Sequence, residues 1–289
     1  GIYCNNGGFN TDNYKVITRT GMVNNHYLAF SGGTPQSNYR ASFGVMDHNT
    51  IIKKMDYNVF VAKVDVTQKA FNDRLTGEFG VFGSSFKNHD IFDTQMLFYS
   101  AACQNPTFPA GTDEHGNWLK NESATHINPP GILLEEKNDS KDLNFDAHIK
   151  LSYDFNKNWR VSTFGSYLYG STENGQFCPT WVWAQGNVYR GEFKKEEWLG
   201  NVALDFNKKF GIHKVSAGVS SEYRKLRKTA FWVYAKGIPT NDFHYDNLGA
   251  TAARPYGGTE STYEDQSLAS VMGSITYNLL DRYTLAVNA

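Results

Sequence analysis

Residues able to do chemistry are thinly spread along this chain. Asp113, Glu114 and His115 are adjacent and have the right atoms for metal ligation. The same run continues to Gly116, and Asp-x-x-Gly is a common turn signature, which gives these residues an ordinary structural reason to be there. Glu135 and Glu136 could act as the two carboxylates of a glycoside hydrolase. Neighbours on an extended chain point to opposite sides, however, so they do not converge on one bond. Ser84-Ser85 lacks a Gly-x-Ser-x-Gly elbow, and Gly32-Gly33 has no following helix that could cradle a phosphate. The cysteines, Cys4, Cys103 and Cys178, show no Cys-x-x-Cys spacing, which argues against a metal cluster. Cys103 and Cys178 fall in expected loops on the same side, and a disulfide between them is left open. These residues call for no cofactor or metal and do not describe an enzyme.

The aromatic residues of the expected loops are the better candidates. Trp118 lies in the longest loop; Phe177, Trp181, Trp183 and Tyr189 follow in the next; Trp232, Tyr234, Phe243 and Tyr245 occupy the last. Flat rings stack on sugar faces or clamp peptide side chains at small entropic cost. The competing reading is that they pack loops together or contact a lid protein.

The composition limits which elements could hold such residues. The 289 residues carry 28 Lys+Arg against 29 Asp+Glu, a net charge of -1 that gives no reason to expect nucleic acid as a partner. Aromatics make up 15% and glycines number 26, yet the mean hydropathy is -0.51. A membrane helix needs about 18 or more apolar residues in a row. The longest apolar runs here, such as 97–103 and 231–235, are far shorter. A chain that is polar on average but rich in rings and glycine fits a β-barrel, in which only alternate residues meet lipid. It equally fits a soluble β-sandwich.

Period-two alternation is the dominant pattern. Over 144–155 the odd positions are Phe145, Ala147, Ile149, Leu151, Tyr153 and Phe155. The even ones are Asn144, Asp146, His148, Lys150, Ser152 and Asp154. Similar alternation near 39–45, 60–66, 75–81, 198–207, 214–220 and 271–279, with strands near 26–34, 159–170 and 283–289, predicts about ten strands. A face carrying His148, Lys150 and Lys214 suits a polar lumen, where those side chains would line a solute path or hydrogen-bond a plug.

The connections separate the two all-β readings. Tight links near 35–37, 70–74, 156–158, 207–212 and 280–282 alternate with longer ones near 47–56, 86–142, 170–196 and 225–265. Outer-membrane barrels have short turns at one rim and long loops at the other. A Greek-key sandwich has no reason to keep that rhythm. Rings near the strand ends, among them Trp159, Tyr167, Trp198, Tyr223 and Tyr283, fit interfacial girdles. The expected fold is therefore an all-β, antiparallel, up-and-down transmembrane barrel segment. Residues 1–25 are read as a lead-in from a plug or early barrel, and 26–289 as barrel with long extracellular loops.

Several stretches carry a family resemblance. They include Asn10-Thr-Asp-Asn-Tyr14, His26-Tyr-Leu-Ala-Phe-Ser-Gly-Gly33, Asn38-Tyr-Arg-Ala-Ser-Phe-Gly44 and Gln104-Asn-Pro-Thr-Phe-Pro109. Asp113-Glu-His-Gly-Asn-Trp118, Asn128-Pro-Pro130 and Asp281-Arg-Tyr-Thr-Leu-Ala-Val-Asn288 continue the series. In order and spacing the chain resembles the SusC/RagA family of TonB-linked transporters. The resemblance implies an outer-membrane location and a plugged barrel of about 22 strands, the size class of transporters with a filled lumen. It further implies import of oligosaccharides or peptides, with a SusD-like surface lipoprotein and TonB as partners and outer-membrane lipid as surroundings. The same resemblance makes this chain a middle part of the barrel, with plug and TonB-contacting segment elsewhere. The alternative reading is a soluble, secreted carbohydrate-binding β module.

Overall fold

The computed structural model describes residues 7–119 and 127–289; Cys4 and loop positions 120–126 lie outside them. One ten-stranded sheet dominates, ordered as in the sequence with every pair antiparallel. Its strands are β1 (Met22–Gly33), β2 (Ser37–Asn49), β3 (Asp56–Ala70), β4 (Leu75–Asp90) and β5 (Lys137–Asp154). Then come β6 (Trp159–Cys178), β7 (Asn187–Phe210), β8 (His213–Lys236), β9 (Thr259–Leu279) and β10 (Tyr283–Asn288). All ten strands expected from alternation are present, and nothing crosses over, as an up-and-down wall requires.

The connections keep their alternation. Tight turns lie at 34–36, 71–74, 155–158, 211–212 and 280–282, and wider links at 50–55, 91–136, 179–186 and 237–258. At the β9–β10 turn Leu280 and Asp281 have φ of 56° and 57°. Two successive left-handed residues match the twist of the flanking strands. Asn278 Oδ1 stabilises the turn by accepting from the Asp281 amide at 3.0 Å.

The wider links are shorter than the sequence suggests. The 170–196 loop contracts to 179–186, because β6 and β7 stay paired out to Cys178↔Asn187. The 225–265 loop contracts to 237–258, and 86–142 to 91–136. Tyr189, Trp232 and Tyr234, expected in loops, consequently lie on strands. The extensions carry charges such as Glu173, Glu192 and Lys194 where the membrane portion carries apolar side chains. That substitution removes the apolar alternation which marks a strand in sequence.

Residues directly opposite in an antiparallel pair share a face, so the register sorts the side chains. One row runs Leu28↔Phe43↔Ala62↔Gly83↔Phe145↔Tyr169 and then Glu196↔Arg227↔Asp265. The row changes from apolar to aromatic to charged because strands tilt by about 35–45° in such walls, and a row across them climbs out of the membrane. Phe145, Ile149, Leu151, Val202, Leu204, Val271 and Ile275 all share this outer face. Asp146, Lys150, Asp205 and Lys214 share the opposite one. On the outer face of β6, Trp159 and Tyr167 stand eight residues apart, about 26 Å along the strand at ~3.3 Å per residue. Each ring meets a partner on β7, Trp159 with Phe206 at 4.7 Å and Tyr167 with Trp198 at 4.2 Å. Two aromatic girdles thus bracket the apolar band.

Three short helices gather at the rim of the wider links: α1 (Asn13–Ile17), α2 (Thr94–Cys103) and α3 (Pro129–Glu135). Asp12, Asp93 and Asn128 cap their N-termini through side-chain oxygens. Ile17, Ile52, Ile91, Leu97, Ile132 and Leu133 form a small buried core between them, with Trp181 packed against it. Residues read from sequence as a lead-in therefore help to build this rim. No described helix is long and apolar enough to cross a membrane.

Candidate functional site

The structure divides the aromatic candidates into separate settings. Trp118 and Trp181 converge on Glu135 at the end of α3. The Trp181 indole N–H donates to Glu135 Oε2 at 2.7 Å, and the Trp118 indole N–H donates to Oε1. The rings lie 6.4 Å apart with Gly131 against both, where a Cβ would stand 2.5 Å from Trp181 and 2.8 Å from Trp118. Their polar atoms are committed to pinning the 179–186 link onto the 91–136 link. Trp183, on the same short link, is exposed.

Glu136 follows immediately but turns elsewhere. It is 3% exposed, accepts from the Asp93 amide at 3.0 Å and lies 3.5 Å from the Cys178 thiol, which donates to it. Burial pushes its carboxyl up to about 7 and also raises the Cys178 thiol. Cys103 and Cys178 are both free, so the disulfide left open by the sequence is not formed. The two carboxylates serve different partners and do not face a common bond. Asp113 accepts the backbone N–H of His115 at 2.9 Å and of Asn117 at 2.8 Å. The Asn117 side-chain amide, which donates to Asp113 Oδ2 at 3.1 Å, and then these backbone bonds hold its carboxyl below the usual range, as expected of a turn that caps itself.

Tyr189, Trp232 and Tyr234 lie together on the inner face of β7 and β8, toward the rim of the wider links. Tyr189 is opposite Tyr234, Gly191 opposite Trp232, and Phe193 opposite Ala230. Trp232 and Phe193 each have a small residue opposite, and their rings lie nearly parallel, at 17° with centroids 6.1 Å apart. Tyr234 donates to Asn187 Oδ1 at 2.9 Å. Below these rings is an open groove of about 760 Å³, whose inner-face lining includes Asn144, Leu168, Lys195, Lys228, Thr262 and Glu264. Phe193 was absent from the sequence candidates. Once β7 is known to reach Asn187, period-two spacing from Tyr189 through Gly191 to Phe193 identifies it.

His148, Lys150 and Lys214 share the polar face of the sheet with Asp146 and Asp205, each held by a neighbour. His148 Nδ1 is 3.3 Å from Asp146, and its ring leans over Gly80 toward Phe164. Lys150 reaches Glu78 at 3.4 Å. Lys214 pairs with Asp281 at the opposite, tight-turn rim, far along β8 from the aromatic groove.

Phe243 and Tyr245 belong to the 237–258 link, which folds over the outer face. Tyr245 donates to Asp139 at 2.6 Å and packs with Phe177, Val188, Ala235 and Ile238. His244 stands edge-on to Phe177 at 5.0 Å, and burial followed by the nearby Lys137 holds its imidazole below the usual value. Neither this strap nor the Trp118–Trp181 clasp borders the groove.

No family model matches the chain. It is 26% identical, over 98% of its length, to TonB-dependent receptor P3 of Formosa agariphila. It is 24% identical, over 96% of its length, to TonB-dependent receptor SusC of Bacteroides thetaiotaomicron. The chain spans 29% of each of these relatives. Among solved structures, the RagAB peptide transporter matches 96% of this chain and 32% of its own with a TM-score of 0.75, at 12% identity. At that identity the likeness establishes a common fold.

Proposed function

We propose that this chain, a SusC/RagA-like segment of a TonB-dependent outer-membrane barrel, forms one wall of an importer for oligosaccharides or peptides. In this reading a SusD-like surface lipoprotein delivers the solute and TonB supplies the energy. The observation that carries it is the division of the sheet into two unlike faces. The outer face is an apolar band between aromatic girdles, while the inner face is polar and opens toward the long-link rim as an aromatic groove. A wall facing lipid on one side and a hydrated path on the other has that form. Two relatives called TonB-dependent receptors, matched over nearly the whole chain, support the energy source. The RagAB name supports a peptide as one solute class and a two-component assembly. A soluble carbohydrate-binding module would have no use for the outer apolar band.

The test is genetic. Deleting the gene should abolish growth of its bacterium on at least one oligosaccharide or peptide mixture, and deleting TonB should reproduce that loss. Unchanged growth of the gene deletion on every such solute would refute import.

A further inference from the structure

Above its apolar band the outer face becomes charged, and on two adjacent strands the first charge has the same sign. Along β4 the outward side chains run Phe79, Val81, Gly83, Ser85 and Lys87; along β5 they run Ile149, Ala147, Phe145, Leu143 and Lys141. Lys87 and Lys141 are thus the first formal charges above the band on their strands, and they are directly opposite each other. Like charges so placed destabilise a ladder. Neither lysine makes an ion pair among the described residues. The other neighbour of Lys87 is Asn58, whose side chain donates to Asp47 at 2.6 Å. Two carboxylates lie close by. Glu173 is opposite Lys141 without pairing with it, and Asp139 is occupied by His89 Nδ1 at 3.0 Å and the Tyr245 hydroxyl at 2.6 Å. Tyr245, whose ring would meet a Cβ on Gly175 at 2.6 Å, and Arg190 complete a hollow of about 210 Å³ beside the lysines. Arg190 reaches Asp246 only at 3.5 Å, with both side chains more than half exposed.

We propose that the Lys87–Lys141 hollow binds the phosphate of an acylated glycolipid of the lipid A class in the outer leaflet of the membrane. The proposal goes beyond import, and takes from that reading only the placing of the wide-link rim outside the cell. A phosphate between the two ammonium groups turns their repulsion into two charge-assisted contacts, and Arg190 adds a planar fork of N–H donors. A zwitterionic headgroup would bring an ammonium up to the same lysines, so an anionic one is favoured. Position selects a lipid over a free anion. The hollow opens directly above the lipid face, with Leu143 and Phe145 two and four residues below Lys141, about 7 and 13 Å along the strand. Acyl chains hanging from a phosphate held there lie over Leu143, Phe145 and Val81, a gain that a free anion cannot make.

The experiment uses the complete native polypeptide, purified in detergent and stripped of lipid. Thermophoresis would measure binding of phosphorylated lipid A, of the same lipid after enzymatic removal of its phosphates, and of inorganic phosphate. The phosphorylated lipid should bind, and each of the other two should bind about tenfold or more weakly than it does. Lys87→Gln combined with Lys141→Gln should weaken the phosphorylated lipid about tenfold or more, whereas arginine at both positions should keep its affinity within about threefold. Lys157→Gln, at the tight-turn rim, should match wild type. In lipid-free detergent the double glutamine variant should lose its heat-modifiable folded band at the wild-type temperature or above, since it has lost a repulsive pair. A lower temperature would contradict that repulsion and overturn the proposal. Equal binding of the dephosphorylated lipid overturns it too, as does unchanged affinity in the double glutamine variant. Inorganic phosphate binding as tightly as the lipid would replace it with a free-anion site. None of these outcomes bears on import, which growth on the solute tests separately.

Discussion

Trp118 and Trp181 show how position decides the use of a residue type. Both are large amphipathic rings near the rim, and both use their N–H on Glu135. Replacing either by Phe keeps the ring and removes a charge-assisted hydrogen bond, which contributes about 1.5–3 kcal/mol. The expected result is faster proteolysis within the 91–136 link, with solute affinity within twofold of wild type; a large loss of affinity would instead place these rings on the solute. Glu136 makes a pH prediction. Its ordinary value is near 4.5 and its native value about 7. Between those values the unfolded segment releases its proton first, so the native state holds more protons and rim stability falls as pH rises. The loss is complete above about 7 and amounts to at most about 3.5 kcal/mol at ~1.4 kcal/mol per unit. Hydrogen exchange in α2 and α3, corrected for intrinsic rates, should show easier opening at about pH 8 than at about pH 5. Glu136→Gln, which mimics the protonated acid, should flatten that dependence, and a persistent slope would assign it to another group.

At the scale of the element, neighbouring residues on β5 should behave oppositely. Ile149 is on the outer face beside Phe79, and Lys150 on the inner face beside Glu78. Arginine at the lipid midplane costs about 2–4 kcal/mol, whereas lumen substitutions mainly tune selectivity. Ile149→Arg should therefore reduce the heat-modifiable folded band in outer-membrane fractions, and Lys150→Ala should leave it at wild-type level. Equal folding of the two variants would reverse or abolish the assigned faces. The membrane portions of β5 and β7 were legible in the sequence, since lipid enforces strict alternation. Their extensions were not, because water tolerates Lys141, Glu192 and Lys194 on the same face without breaking the ladder.

The whole wall has a sidedness that can be tested in cells. Asn247 lies on the 237–258 link and Lys157 on the 155–158 turn, at opposite rims. On a background without exposed native thiols, a membrane-impermeant maleimide should label Asn247→Cys on intact cells. It should label Lys157→Cys only after the outer membrane is opened. Labelling of both on intact cells would contradict the topology. The rim core formed by Ile17, Ile52, Leu97 and Ile132 joins segments far apart in sequence, and no local pattern announces such an assembly.

By itself the sequence determined the all-β class, the ten strands, the alternation of tight and wide links and the face of each membrane residue. These follow from rules of short range: side chains alternate every residue, lipid excludes charge, and turns need particular backbone angles. The tertiary structure decided which aromatic residues meet. Trp118 joined Trp181 around Glu135, Tyr245 crossed to the outer face, and Trp232 found Phe193 across β7 and β8. Those pairings depend on how far the ladders run beyond the membrane and on how the long links fold back. Both are set by contacts between residues distant in the chain, which no spacing along it records.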